Sequence, residues 1–255
     1  MEGFIVKYNN PVFNKLENNE QVFTGEQASY LGITIKTVLL FVIAIAFGLF
    51  TMTLADSNPN LFIGILIASF FTGFISIFVA MLNPRLAPIF SVIYAMSEGV
   101  ALVLISMIYA AEFGGANFVG LAVLVTAGIF FGMLALYTTR LIRVTSRFRR
   151  VVLGFGFGII ATILFVSIAS FFDGGAMMYT LFGDVNSPLV LFLSLVLIMY
   201  GAFMLTLHFD TAEALVSSGM SKQYEWVAAL GLMVSIVYIY YQVLRLLAIL
   251  AARRD

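Results

Sequence analysis

The sequence predicts an all-α integral membrane protein, folded as a bundle of seven transmembrane helices. Three observations predict it. The 255 residues are 62% hydrophobic and 10% charged, whereas an ordinary soluble domain is about 45–50% apolar and about 25% charged. Seven apolar stretches each reach the roughly 20 residues that a spanning helix needs. Lys and Arg fall on alternate connections between those stretches, which is how basic residues distribute across a membrane.

The first stretch covers residues 33–54, and the second covers 61–82, closed by Asn83-Pro84. The third opens at Pro88, where a missing N–H costs little at a helix N-terminus, and reaches residue 110. The fourth covers 118–138 and the fifth 151–172. The sixth covers 188–209, with an amphipathic continuation to 216, and the seventh covers 226–250. Residues 1–32 form a polar segment ahead of the helical domain, 33–250, and residues 251–255 form a short tail. The polar start does not have the uninterrupted apolar core of a cleaved signal peptide. No connection is long enough for a soluble domain. No internal repeat is visible, so an inverted-repeat transporter gains no support.

The charges orient the bundle. Lys7, Lys15, Arg85, Lys222 and the run Arg140, Arg143, Arg147, Arg149 and Arg150 share one side. The intervening connections hold Asp56, Glu112, Asp173 and Asp184 and no Lys or Arg. The expected N-terminus is therefore cytoplasmic. Seven spans then put Arg253 and Arg254 outside, unless the last helix is short and re-entrant. Zero net charge gives no field to attract nucleic acid. Without cysteine there are no disulfides, thiolate metal sites or thiol chemistry.

Polar groups inside the apolar stretches are costly and face the bundle interior or a pathway. Glu98 lies ten residues after Pro88, roughly 15 Å along a helix, near the bilayer centre. A lone carboxyl there favours its neutral form. It is either an ion or proton site, or a carboxyl bonding a neighbouring helix. Asp210 and Glu213 share a helical face, and two carboxylates held close repel. They form either a cation site or pH-sensitive contact, or a solvated helix end. His208, the only histidine, is rotated about 200° from Asp210 and makes no metal constellation alone. Tyr241 and Arg245 are four apart and can meet on one face. Gln242 and Arg245 are three apart and can share a partner. Arg245 needs a carboxylate or carbonyls if buried, and otherwise snorkels to the interface. The tyrosines suit an interfacial belt equally well. The run 140–150 offers a weak anionic-lipid site. Gly154, Gly156 and Gly158 suit close helix packing.

Five stretches carry a family resemblance: Asn10-Pro11-Val12-Phe13 with Lys15-Leu16-Glu17, LAPIFSVIYAMSEG (86–99), YTTRLIRVTSRFRR (137–150), HFDTAEALVSSGMSKQYEW (208–226) and YIYYQVLRLL (238–247). In order and spacing the chain resembles the Bax inhibitor family, in particular its bacterial branch. The resemblance implies a seven-helix fold with the last helix central, surrounded by the others. It implies a pH-sensitive calcium leak, gated by a hydrogen-bonded pair of acids on the sixth and seventh helices. Asp210 resembles the sixth-helix acid. His208 stands where bacterial relatives often carry another Asp. Gln242 stands where the seventh-helix acid is expected, and an amide bonds a carboxyl but does not titrate.

The leading expectation is a cation-leak channel of the bacterial inner membrane, with Asp210 and Glu98 as the carboxylate ligands of a calcium ion and no cofactor. The alternative is a non-conducting modulator of a membrane protease or stress-signalling partner, docked through residues 2–32. An enzyme is not expected, since His-Glu-x-x-His, Gly-x-Ser-x-Gly and Gly-x-Gly-Asp are all missing.

Overall fold

The computed structural model describes residues 26–57, 59–184 and 186–253. Most of the polar segment with Lys7 and Lys15, the side chain of Asp56, and Arg254 with Asp255 lie outside the described residues. Seven long helices follow in order: α1 Tyr30–Ser57, α2 Pro59–Leu82, α3 Ala87–Phe113, α4 Ala116–Thr138, α5 Ser146–Phe172, α6 Pro188–Ser217 and α7 Tyr224–Ala252. All seven are long and apolar enough to cross a membrane. In hydrocarbon only a helix satisfies every backbone group within its own segment, so apolar length alone dictates these elements.

Local chemistry moves their ends. The Ser29 hydroxyl accepts from the Gly32 amide at 3.0 Å and starts α1 three residues before the apolar stretch begins. Thr145 caps α5, accepting from the Phe148 amide at 3.1 Å. Arg147, Arg149 and Arg150 are consequently helical rather than part of a loop, and Arg150 donates back to the Ser146 carbonyl at 3.3 Å. Gly114 takes φ 118° and closes α3, its amide bonding the Ala110 carbonyl. At 29 residues, α7 spans roughly 43 Å. Arg253 donates to the Ser187 carbonyl at 2.8 Å, beside the start of α6. The last helix therefore crosses the bundle fully, and the re-entrant alternative is not what forms.

That helix is the axis of the fold. Within its most apolar window 67% of residues are buried, against at most 39% in any other helix. It touches α1, α2, α3, α4 and α6, while α5 packs only on α6 and the helical turn Ala176–Met178. Glycines set the closest approaches. A side chain at Gly231 would strike the His208 ring, and one at Gly201 the Tyr238 ring, so α6 and α7 run antiparallel in close contact. Gly48 and Gly99 bring α1 and α3 backbone to backbone, where a Cβ on Gly99 would strike the Ala44 carbonyl. The expectation for α5 needs correction. Of its three glycines only Gly156 packs closely, against the Tyr200 hydroxyl, while Gly154 and Gly158 face open space.

Gly99→Val should therefore lower the melting temperature in detergent and cost about 1–3 kcal/mol or more, as overpacking does. Gly154→Ala and Gly158→Ala should leave the melt unchanged. A Gly99→Val protein as stable as the wild type would contradict the α1–α3 crossing.

Candidate functional site

The mid-membrane centre joins α3 to α7. The Tyr241 hydroxyl donates to Glu98 Oε1 at 2.9 Å, and Tyr94 flanks the same carboxyl. A little over two turns further along α3, Ser106 and the Tyr240 hydroxyl are 2.6 Å apart, a second polar bond between the same two helices. On its other side α3 meets α2 through Ser97 and Thr72, whose hydroxyls are 2.9 Å apart. Glu98 also borders a cavity of about 510 Å³ between α2 and α3. The arrangement puts one titratable group in direct contact with the axial helix.

The basic end of the bundle holds the ion pairs. Arg149 of α5 meets Asp210 of α6 at 2.6 Å. Arg140, from the α4–α5 connection, meets Glu213 at 2.6 Å, and Tyr137 donates to the same carboxylate. Arg140 has φ 60°, a left-handed conformation uncommon outside glycine, and its guanidinium lies over the Tyr137 ring at 5.9 Å. A cavity of about 390 Å³ is lined by Tyr137, Arg140, Arg143 and Asp210. Asp210 and Glu213 thus each hold an arginine instead of merely repelling one another. His208 turns from Asp210 toward Gly231 of α7.

A further pair is buried deeper at this end. Lys36 of α1 bonds Glu225, the second residue of α7, whose side chain is 0% exposed. Ser29 donates to the same carboxylate from its amide at 2.8 Å and its hydroxyl at 3.1 Å. Gly32 leaves room for that carboxylate, which any Cβ there would overlap. The Lys36 ammonium also lies 5.4 Å from the Trp226 ring centre. Residues 26–29 then strap the α6–α7 connection. The Ala28 amide bonds the Met220 carbonyl at 2.7 Å, the Lys222 amide bonds the Glu26 carbonyl at 2.9 Å, and the Lys222 side chain pairs with Glu26. The hydrogen bond and charge of Lys222 lower the Glu26 carboxyl from its ordinary value. A lowered folded value adds stability above the unfolded pKa, and that is lost as pH falls through the lowered one. The strap therefore loosens in acid, and at the basic extreme only as pH rises through the value of Lys222, which the bond to Glu26 raises.

The opposite end is arranged differently. Arg245 donates to the Phe182 carbonyl at 2.9 Å and lies over the Phe182 ring at 5.2 Å. It is held by a carbonyl, and Tyr241 bonds Glu98 rather than Arg245. The Gln242 Oε1 and Tyr238 hydroxyl are buried without a hydrogen-bond partner among the described residues.

A family model, Bax inhibitor 1 like, matches residues 10–252. The chain belongs to the Bax inhibitor family. No curated protein and no solved structure matches it significantly. For a Bax inhibitor relative the placement of Asp210 and Gln242 is informative. The α6–α7 register pairs Gly201 with Tyr238 and Gly231 with His208. Asp210 therefore lies level with the start of α7, and Gln242 lies far along it. The structure brings together Glu98 with Tyr241, Asp210 with Arg149, and Glu213 with Arg140. It does not bring Asp210 to Gln242, nor Asp210 to Glu98. The same register sets Asp210 near residue 229 of α7 while Glu98 bonds Tyr241, so the two acids stand at separate depths, and no group of three or more His, Cys, Asp or Glu forms a metal site among the described residues. Lys36 and Glu225 were missed from sequence. The signal was present: opposite charges at the edges of the first and last apolar stretches, Lys36 just inside one and Glu225 just before the other, at the same end of the bundle.

Lys36→Ala leaves a buried carboxylate without its cation, which typically costs about 3–5 kcal/mol. It should depress the melting temperature by many degrees, whereas Lys222→Ala, which breaks an exposed pair, should shift it little. Equal shifts in a thermal melt would contradict the assignment of Glu225 as the anchored group.

Proposed function

We propose that this protein is a pH-sensitive cation leak channel, with calcium as its ion, in a bacterial inner membrane. The basic end faces the cytoplasm. It works without catalysis or cofactor. The observation that carries the reading is the bond from Tyr241 to Glu98 at 2.9 Å, which ties a titratable carboxyl to the helix that nearly all others surround. An ionised carboxylate only accepts hydrogen bonds, whereas a protonated one must also place a proton. Changing that state changes how α3 holds α7.

The basic end supplies the second element. Arg149 and Arg140 occupy the carboxylates of Asp210 and Glu213, which closes the route to a cation. Protonating Asp210 removes its attraction for Arg149 and opens the lock. Calcium takes six to eight oxygen ligands. Asp210 and Glu98 would act as successive stations, each completed by carbonyls and water. Arg245 at the far end repels a cation and sets a barrier there. Gln242 and His208 shape the α6–α7 seam, and neither is a ligand.

Reconstituted in vesicles, the protein should pass calcium with a rate that depends on pH. Asp210→Asn should remove most of that dependence, because Arg149 then has no titratable partner. Glu98→Gln, which keeps an acceptor for Tyr241, should retain the fold and lose the remainder. Flux equal to that of protein-free vesicles at every pH would sink the reading.

A further inference from the structure

Glu98 is approachable from the outer face of the bundle. The cavity of about 510 Å³ beside it lies between α2 and α3 and is lined by Phe70, Phe71, Phe74, Tyr94, Ser97 and Glu98. Its outer rim is exposed: Phe70, Phe71 and Phe74 are 72%, 59% and 61% accessible. These residues lie in a spanning helix, so the opening is to the hydrocarbon of the bilayer and not to water. Apolar aromatic walls lead inward to a single carboxyl. Among the described residues no Lys, Arg or His lies within ion-pair distance of that carboxyl. Each ion pair of the basic end satisfies its acid internally, and Glu98 differs from those acids in this respect.

The geometry points to a lipid-side binding site for a lipophilic amine. The ammonium pairs with Glu98, and the apolar tail lies over Phe70, Phe71 and Phe74. The charge is complementary, since a carboxylic acid can pass its proton to an amine and the resulting ammonium supplies the cation that an ionised Glu98 would need. The walls are complementary too, since aromatic faces attract an ammonium group and match an alkyl tail. The site stands whether or not ions cross the protein, so it can fail without the channel failing, and the reverse.

The test uses the full chain in phosphatidylcholine vesicles without an ion gradient. The probe is dicyclohexylcarbodiimide, an apolar reagent. The Glu98 carboxylic acid adds across one C=N bond, its oxygen bonding the central carbon and its proton going to nitrogen. The resulting O-acylisourea rearranges by acyl transfer to a stable N-acylurea, so the peptide gains the whole reagent mass. Mass spectrometry should find that adduct on Glu98 and none on the peptide from Glu98→Gln. Dodecylamine at ten times its dissociation constant should slow labelling about tenfold, and dodecanol should not. Ser69→Phe, which narrows the cavity and leaves Glu98 in place, should slow labelling as well. A water-soluble carbodiimide should leave Glu98 unmodified. No adduct on Glu98, equal labelling by the water-soluble reagent, unchanged labelling of Ser69→Phe, or equal protection by dodecanol would each overturn the site.

Discussion

Two-thirds of the apolar window of α7 is buried inside the bundle, so its polar side chains depend on neighbouring segments for partners. Everything else in the fold follows from that constraint. An axial helix in a membrane gains little from apolar contact alone, because lipid tails are as apolar as leucine. What distinguishes its native position is the set of polar bonds it makes there. Tyr241 reaches Glu98, Tyr240 reaches Ser106, and Glu225 reaches Lys36 and Ser29. Three bonds go to α3 or α1, the same two helices that Gly48 and Gly99 clamp together. The clamp matters because Gly99 directly follows Glu98. Close contact of the α1 and α3 backbones fixes the rotation of α3, and that rotation aims the carboxyl at Tyr241.

The two ends of the bundle are built on different electrostatics. At the basic end four cations meet four carboxylates: Lys36 with Glu225, Arg140 with Glu213, Arg149 with Asp210 and Lys222 with Glu26. These pairs bridge α1 to α7, the α4–α5 connection to α6, α5 to α6, and the strap to the α6–α7 connection. At the other end Arg245 and Arg253 lean on carbonyls of the 176–187 segment. An ionic closure responds to protonation of its acids. A closure through carbonyls does not titrate. The ion pairs of the basic end therefore each contain a group able to gain a proton, and the two arginine contacts at the other end do not.

Much of the architecture was legible in the sequence because apolar length is a direct physical requirement of the bilayer. The seven stretches and the position of Glu98 near mid-helix needed no tertiary information. Helix ends were less legible, because they depend on Ser29 and Thr145 as caps and on arginine stems that stay helical beyond the apolar run. Pairings were less legible still. Tyr241 and Arg245 are four apart and compatible in chemistry, yet each has a better partner on another segment. Lys36 and Glu225 carried the information, but each sits close enough to a helix end to resemble an interfacial charge. Only α1 lying against the start of α7 makes them a buried pair. The glycines of α5 show the same limit: their spacing is visible in sequence, and what lies opposite them is not.

The family resemblance places an amide, Gln242, where a gating acid is expected, which would weaken any pH response built on an acid pair. The helix register alters that conclusion. Gly201 against Tyr238 and Gly231 against His208 set Asp210 and Gln242 too far apart along α6 and α7 to bond, so an acid at Gln242 would not meet Asp210 in this arrangement. Asp210 is held by Arg149 instead, and Glu98 by Tyr241. A carboxylate held by a permanent cation and a carboxyl held by a tyrosine respond to protonation in different ways: the first loses a charge pair, the second exchanges an accepted hydrogen bond for a donated one. Replacing Gln242 by Asp would add a third acid next to Arg245 instead of restoring a pair with Asp210. The pH response proposed for this chain therefore resides in Asp210 and Glu98, whose partners are Arg149 on α5 and Tyr241 on α7, and the identity of residue 242 acts on it only through the packing of α7.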